Sequence, residues 1–361
     1  MYAREKRLIG EAVDKLRLDL SGLVVLTEAA SGNYVHTPII CAAAEAKEVI
    51  ALAGDSRYAS AGEVREQTES AARMMGLGGR VRIVTELSDD LWASGDVVTN
   101  LGFLRPFDAH VVEKLKPTAA LPIMFETWEH RPMEVDLEAC WRRGICVLGT
   151  NEEHGAIKIM DYLGALAAKK MFELGVEVIG SRVVVIGTGK FFFKVCETLA
   201  GMKAHVLRWL ADFEEGEVSA SEDRLAALSG ADAIVVADEP NSTRCSIGSG
   251  GFITAADIVK HCKDAVVIQL AGSVSRPELD VAGVTCVPDA APAPGHMGWS
   301  LSELGPKPVI DLHAAGLKVG ELLARGRLAG LSPAEATRAA LENPICQDFS
   351  VEQKRRFDCP F

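Results

Sequence analysis

The chain has 361 residues, 48% of them hydrophobic and 24% charged, with a formal net charge of -12. That length accommodates two domains with cores of their own, and an acidic balance without a Lys/Arg-rich run argues against a nucleic-acid partner. No apolar run reaches the roughly 18 residues that span a bilayer, and MYAREKRLIGEAVDKL alternates charged and apolar residues at helical spacing, so a cytoplasmic protein with no membrane partner is expected.

Six short apolar runs open the chain: Gly22 to Thr27, Glu48 to Ala53, Arg80 to Thr85, Asp96 to Asn100, Ala120 to Phe125 and Cys146 to Thr150. Helical patterns such as AGEVREQTESAARMMG separate them. Continuous apolar strands alternating with helices predict a parallel sheet covered on both faces. Polar residues just past such strands are candidates for ligand contact. After the first run come Glu28, Ser31, Gly32, Asn33 and Tyr34, in a loop where Thr37 would cap a helix with Pro38 at its first position. TNLGFLRP supplies Asn100 and Arg105, and ETWEHRP supplies Glu126, Trp128 and His130. Asn33, Asn100, Arg105 and Trp128 are read as substrate contacts, and Glu126 as an acid/base candidate. A solvated turn explains the ETWEHRP cluster equally well.

From Glu153 to Leu174 the spacing predicts one long helix, capped by NEEH, with small residues at Gly164 and Ala167 that admit a close neighbour. Six more strands are expected after it: RVVVIG, HVLRWL, AIVVAD, AVVIQLAG, VTCVPD and KPVIDL. Pro288 to Pro308 is a loop by its breakers, and helices follow His313 and Ser332. The fold class is therefore α/β, with two doubly wound parallel-sheet domains. A Rossmann domain, 153–324, is inserted between a flavodoxin-like substrate domain, 1–152, and the C-terminal segment 325–361 that completes it.

VVVIGTGKFFFKV, Val183 to Val195, carries the chemistry of the second domain. Gly187 and Gly189 hold the first two places of the G-x-G-x-x-G dinucleotide turn, where a helix N-terminus offers free amides to a pyrophosphate. Thr188 lies between them, Lys190 can add a phosphate contact, and Phe192 stands where the third glycine belongs. Three readings remain open: a dinucleotide bound on an altered turn, another adenosine ligand, or a phenylalanine core with no ligand. Phe192, Val195 and Leu199 share one helical face, which suits a core role. At the next strand Arg208, followed late by Asp212, is suited to a 2′-phosphate and tilts a nicotinamide reading toward NADP.

Ala231 to Asp280 resembles the cofactor half of the D-2-hydroxyacid dehydrogenase family, with a proline-bearing loop at Asp238 to Thr243 and a last strand at Val266 to Gly272. VIDLHAAGLKVGE resembles that family's histidine segment, and Val135 to His154 its crossover into the linking helix. The resemblance implies NAD or NADP bound in the inserted domain with Asp238, Leu270 and Gly272 among its contacts. It also implies His313 as proton donor, catalysis between the domains, and a homodimer. Gly272 stands where the family has its carboxylate-clamping arginine, so a substrate other than a plain 2-keto acid is expected, such as an amino-acid-derived one.

The function expected is an NAD(P)-dependent oxidoreductase of a small polar substrate. The alternatives are a group-transfer protein binding S-adenosylmethionine, and a catalytically silent binding subunit. No metal site is expected, since the histidines are dispersed and the nine cysteines form no C-x-x-C pair.

Overall fold

The computed structural model describes residues 2–210, 222–242, 244–293 and 295–349. Asp212, Thr243 and 350–361 of the expected C-terminal segment lie outside the described residues. The chain forms two compact units, Met1–Ile159 with Gly305–Phe361, and Met160–Leu304. The return to the first unit thus comes at Gly305 rather than at 325.

The first unit holds β1 (Val24–Glu28), β2 (Glu48–Leu52), β3 (Val81–Val84), β4 (Val97–Val98), β5 (Ala120–Pro122) and β6 (Cys146–Thr150). The second holds β7 (Arg182–Gly187), β8 (His205–Leu210), β9 (Ala233–Ala237), β10 (Cys245–Ile247), β11 (Val266–Ala271), β12 (Ser273–Val274) and β13 (Cys286–Val287). β14 (Cys346–Gln347) returns antiparallel to β6, closing a seven-stranded sheet in the order β14-β6-β5-β4-β1-β2-β3. The main sheet of the second unit runs β13-β11-β9-β7-β8, all parallel. In each sheet the chain order reverses once, between β1 and β4 and between β7 and β9, and such a switch point opens a crevice past the carboxyl ends of the strands.

The central strands are buried on both faces, β7 through Val183, Val184, Val185 and Ile186 and β9 along its whole length. Each such side chain contributes about 1.5–3 kcal/mol of transfer free energy, and continuous burial is why these runs lack alternation.

Three expected elements differ. KPVIDL is not a strand: Pro306–Leu328 is one helix of 23 residues with Pro306 and Pro308 in its first turn, buried on most sides from Val309 to Ala324. Burial on most sides brings Val309, Ile310 and Leu312 together in a short, mostly apolar run, and such a run cannot be told from a strand by its local pattern. The linking helix begins at Tyr162, because Lys158 adopts a left-handed φ of 51° and the backbone from Asn151 to Ile159 closes turns on itself. NEEH therefore shapes a turn, with Asn151 Oδ1 accepting from Glu153 N–H at 3.1 Å, and caps no helix. Thr37 lies inside the helix His36–Ala43 because a 3-10 turn, Gly32–Val35, feeds straight into it. The small face of Tyr162–Glu173 does receive a neighbour: a Cβ on Gly164 would collide with Thr198 of the helix Gly189–Gly201. Among the described residues no helix is long and apolar enough to cross a membrane.

Candidate functional site

β7 ends at Gly187, and the helix Gly189–Gly201 begins two residues later without a side-chain cap from Thr188. A Cβ on Gly187 would run into the Ala237 carbonyl of β9, so only glycine lets the two strand ends approach. Gly189 has a left-handed φ of 61°. Thr188 Oγ1 donates to Asp238 Oδ1 over 2.5 Å, and the same oxygen accepts Glu239 N–H at 2.9 Å. Gly272, at φ 91°, gives Asp238 its room, since a Cβ there would lie 2.7 Å from Asp238 Cβ. Gly187, Thr188, Gly189, Asp238 and Gly272 thus converge on the β7/β9 switch point. Lys190 is half-buried on the first turn of the helix. Leu270 is fully buried, and its carbonyl accepts Gly298 N–H at 2.7 Å.

Among the described residues, no ring atom is among the three nearest a Cβ built on Gly189. Phe191 and Phe192 are buried, Phe193 is 55% exposed, and the atoms nearest a Cβ on Gly189 all belong to Glu239. The space a phosphate would use is therefore bordered by an exposed glutamate, whose tip can turn outward. With that movement the glycine turn and its supporting Thr188–Asp238 pair fit a dinucleotide phosphate. Arg208 is exposed within β8, two residues before its end at Leu210, so nothing in its placement supports the tilt toward NADP. Arg276 is accounted for structurally: it donates to the Cys286 carbonyl at 2.7 Å and to Gln269 Oε1 at 2.8 Å.

In the first unit, Thr27 and Thr99 join β1 to the end of β4 through their hydroxyls at 3.0 Å. Asn100 is fully buried; its Oδ1 accepts Met124 N–H at 2.8 Å, and its Nδ2 has no partner among the described residues. Asn33 and Tyr34 lie in the turn that follows β1. His313 lies in the second turn of its helix rather than at its start, with Nδ1 2.6 Å from Thr37 Oγ1 and its ring 5.8 Å from that of Tyr34. Burial, and secondarily the nearby His36, push the His313 pKa down to about 4. It is neutral at pH 7.

Glu126 is fully buried and accepts the Trp128 indole N–H at 2.5 Å. Two other residues of the ETWEHRP cluster make structural bonds: Thr127 N–H to Gln347 at 2.7 Å, and His130 Nε2 with the Val135 carbonyl at 2.8 Å. Arg105 is paired with Glu134 at 2.5 Å. Glu28, one of the polar residues after the first run but given no role from the sequence, also belongs to this region. It ends β1 at the switch point, is buried, and has its carboxyl pushed up by burial against the lowering effect of a Phe103 amide and Arg105. Its signal was present, an acid closing an apolar strand.

No protein-family model matches the chain, and no curated protein matches it. Among solved structures, a dipicolinate synthase subunit from Bacillus halodurans matches at 13% identity over 86% of this chain and 99% of the other, with a TM-score of 0.51. A dipicolinate synthase structure from Bacillus subtilis matches at 11% identity over 87% and 99%, with a TM-score of 0.52. The NAD-dependent formate dehydrogenase from Staphylococcus aureus in complex with NAD matches at 14% identity over 82% and 93%, with a TM-score of 0.39. The chain shares the two-sheet α/β fold of the two dipicolinate synthase structures.

Proposed function

We propose that the chain is an NAD-dependent oxidoreductase of a small polar substrate. The observation that carries this reading is the glycine turn at the β7/β9 switch point, braced by the Thr188–Asp238 hydrogen bond. Amides at the start of the helix Gly189–Gly201, with Lys190 beside them, suit a diphosphate. A nicotinamide held there supplies the hydride acceptor or donor. His313, neutral at pH 7, enters the proposal as a proton acceptor, and Glu126, fixed by the Trp128 indole, as the second acid/base candidate.

One observation favours a second reading. The Glu239 carboxylate beside Gly189 opposes a phosphate and tolerates an adenosine ligand with an uncharged or cationic tail, such as S-adenosylmethionine. Titrating the protein with NADH, NADPH and S-adenosylmethionine while following melting temperature separates the readings, because a ligand that binds the native state raises it. NADH is expected to raise it. A rise with S-adenosylmethionine alone would select group transfer, and binding of NADH without turnover of any hydroxy or amino acid would select the silent subunit. We also infer a homodimer; exposed Phe172 beside Ala165, Ala168 and Met202 supports it, and light scattering in solution tests it.

A further inference from the structure

The first unit carries two buried polar residues, Glu28 and Asn100, and its folding leaves the Asn100 amide donor unpaired among the described residues. β1 and β4 are parallel neighbours with Leu26 opposite Val98, and the Thr27–Thr99 hydroxyl contact at 3.0 Å continues that register. One residue past each threonine come Glu28, the last of β1, and Asn100, at the place where the strand order reverses. Glu28 is 6% exposed and Asn100 0%. Asn100 gives its carbonyl to Met124, which fixes the amide plane, and its Nδ2 stays buried without a partner. Glu28 Oε2 accepts Phe103 N–H at 3.2 Å, and Gly102 leaves space for it, since a Cβ there would lie 2.9 Å from that oxygen. A buried amide donor left unpaired and a buried carboxyl each oppose folding. Two such costs on adjacent strand ends at a switch point are accounted for by a ligand that satisfies both.

The chemistry of that ligand follows from the pair. Nδ2 is a neutral donor and suits a carboxylate or carbonyl oxygen. Glu28 rejects a second carboxylate and suits a cation, and the neighbouring cation Arg105 is held by Glu134 at 2.5 Å. We infer that Glu28 and Asn100 form a subsite for an amino-acid group, with Asn100 Nδ2 donating to the carboxylate and Glu28 accepting from the adjacent ammonium. The inference rests on the oxidoreductase reading only in taking the first unit as the substrate-binding part. It gives that substrate an amine where a 2-hydroxy acid has a hydroxyl.

Glycine and glycolate share a carboxylate and differ in ammonium against hydroxyl, which makes them the probes. The Asn100 side-chain amide and the Phe103 backbone amide are followed by NMR in the intact isotope-labelled protein without coenzyme. Glycine is expected to shift both resonances saturably, with glycolate weaker by about tenfold or more, the worth of a hydrogen bond to a charged group. In E28Q the preference for glycine is expected to vanish. Equal or tighter glycolate binding, no shift with either probe, or a preference retained in E28Q would overturn the inference. An NADH titration of the same sample reports on the second unit separately, so the failure of one reading leaves the other readable.

Discussion

Thr188 and Asp238 directly follow neighbouring strands of the second unit and are joined hydroxyl to carboxylate over 2.5 Å. This bond fixes the residue between the two glycines of the turn. T188V removes the donor and leaves Asp238 Oδ1 with the Glu239 amide at 2.9 Å. A hydrogen bond to a charged acceptor is worth about 1.5–3 kcal/mol, and partial compensation places the expected loss near the lower end. Chemical denaturation measures that loss, and NADH affinity is expected to fall with it.

Glu239 stands against Gly189, where a phosphate would approach. E239Q removes a like charge from that approach. NADH affinity is expected to rise about three- to tenfold at low ionic strength, as for charges interacting at a partly exposed site, and the gain should shrink as salt is added. An unchanged or weaker affinity in E239Q would show that the carboxylate does not oppose the ligand.

His313 links the stability of the first unit to pH. Its folded pKa of about 4 lies below the ordinary 6.5 because the ring is buried. Between those values the unfolded chain binds a proton that the folded chain does not, so its contribution is complete above about 6.5 and is lost as pH falls toward 4. The loss amounts to about 3 kcal/mol. His36, also lowered by burial, acts in the same direction. H313Q is expected to flatten the profile between pH 6.5 and 4 in urea titrations, and an unaltered slope would contradict this assignment.

Gly164 is where the helices Tyr162–Glu173 and Gly189–Gly201 meet, against Thr198. G164V inserts bulk into a contact with no space and is expected to cost about 1–3 kcal/mol or more. G164A with T198A should recover part of it, and denaturation of the set measures the coupling.

The sequence foretold the parallel strands, the close helix contact at Gly164 and the burial of Phe192, because each depends on local apolar pattern or on a small residue in a helical stripe. KPVIDL misled because its short, mostly apolar run is too brief to show a helical period, and the helix that contains it is buried on most sides. Glu239 could not be placed from the sequence alone, because it reaches its glycine from the end of a neighbouring strand, whereas Glu28 was visible as an acid closing an apolar run but its burial and its Phe103 amide partner were not. Arg105 looked available for a substrate because Glu134, which pairs with it, comes 29 residues later in a turn with no pattern. Strand ends were legible; what crosses between them was not.

Calorimetric titration of the intact protein with NADH tests most directly whether the glycine turn holds a dinucleotide. Saturable binding at one site is expected, lost in G189V, where a side chain would meet Glu239 at a left-handed φ of 61°. Folded protein that gives no binding heat with NADH or NADPH, or a G189V variant that binds as the wild type does, would contradict the account.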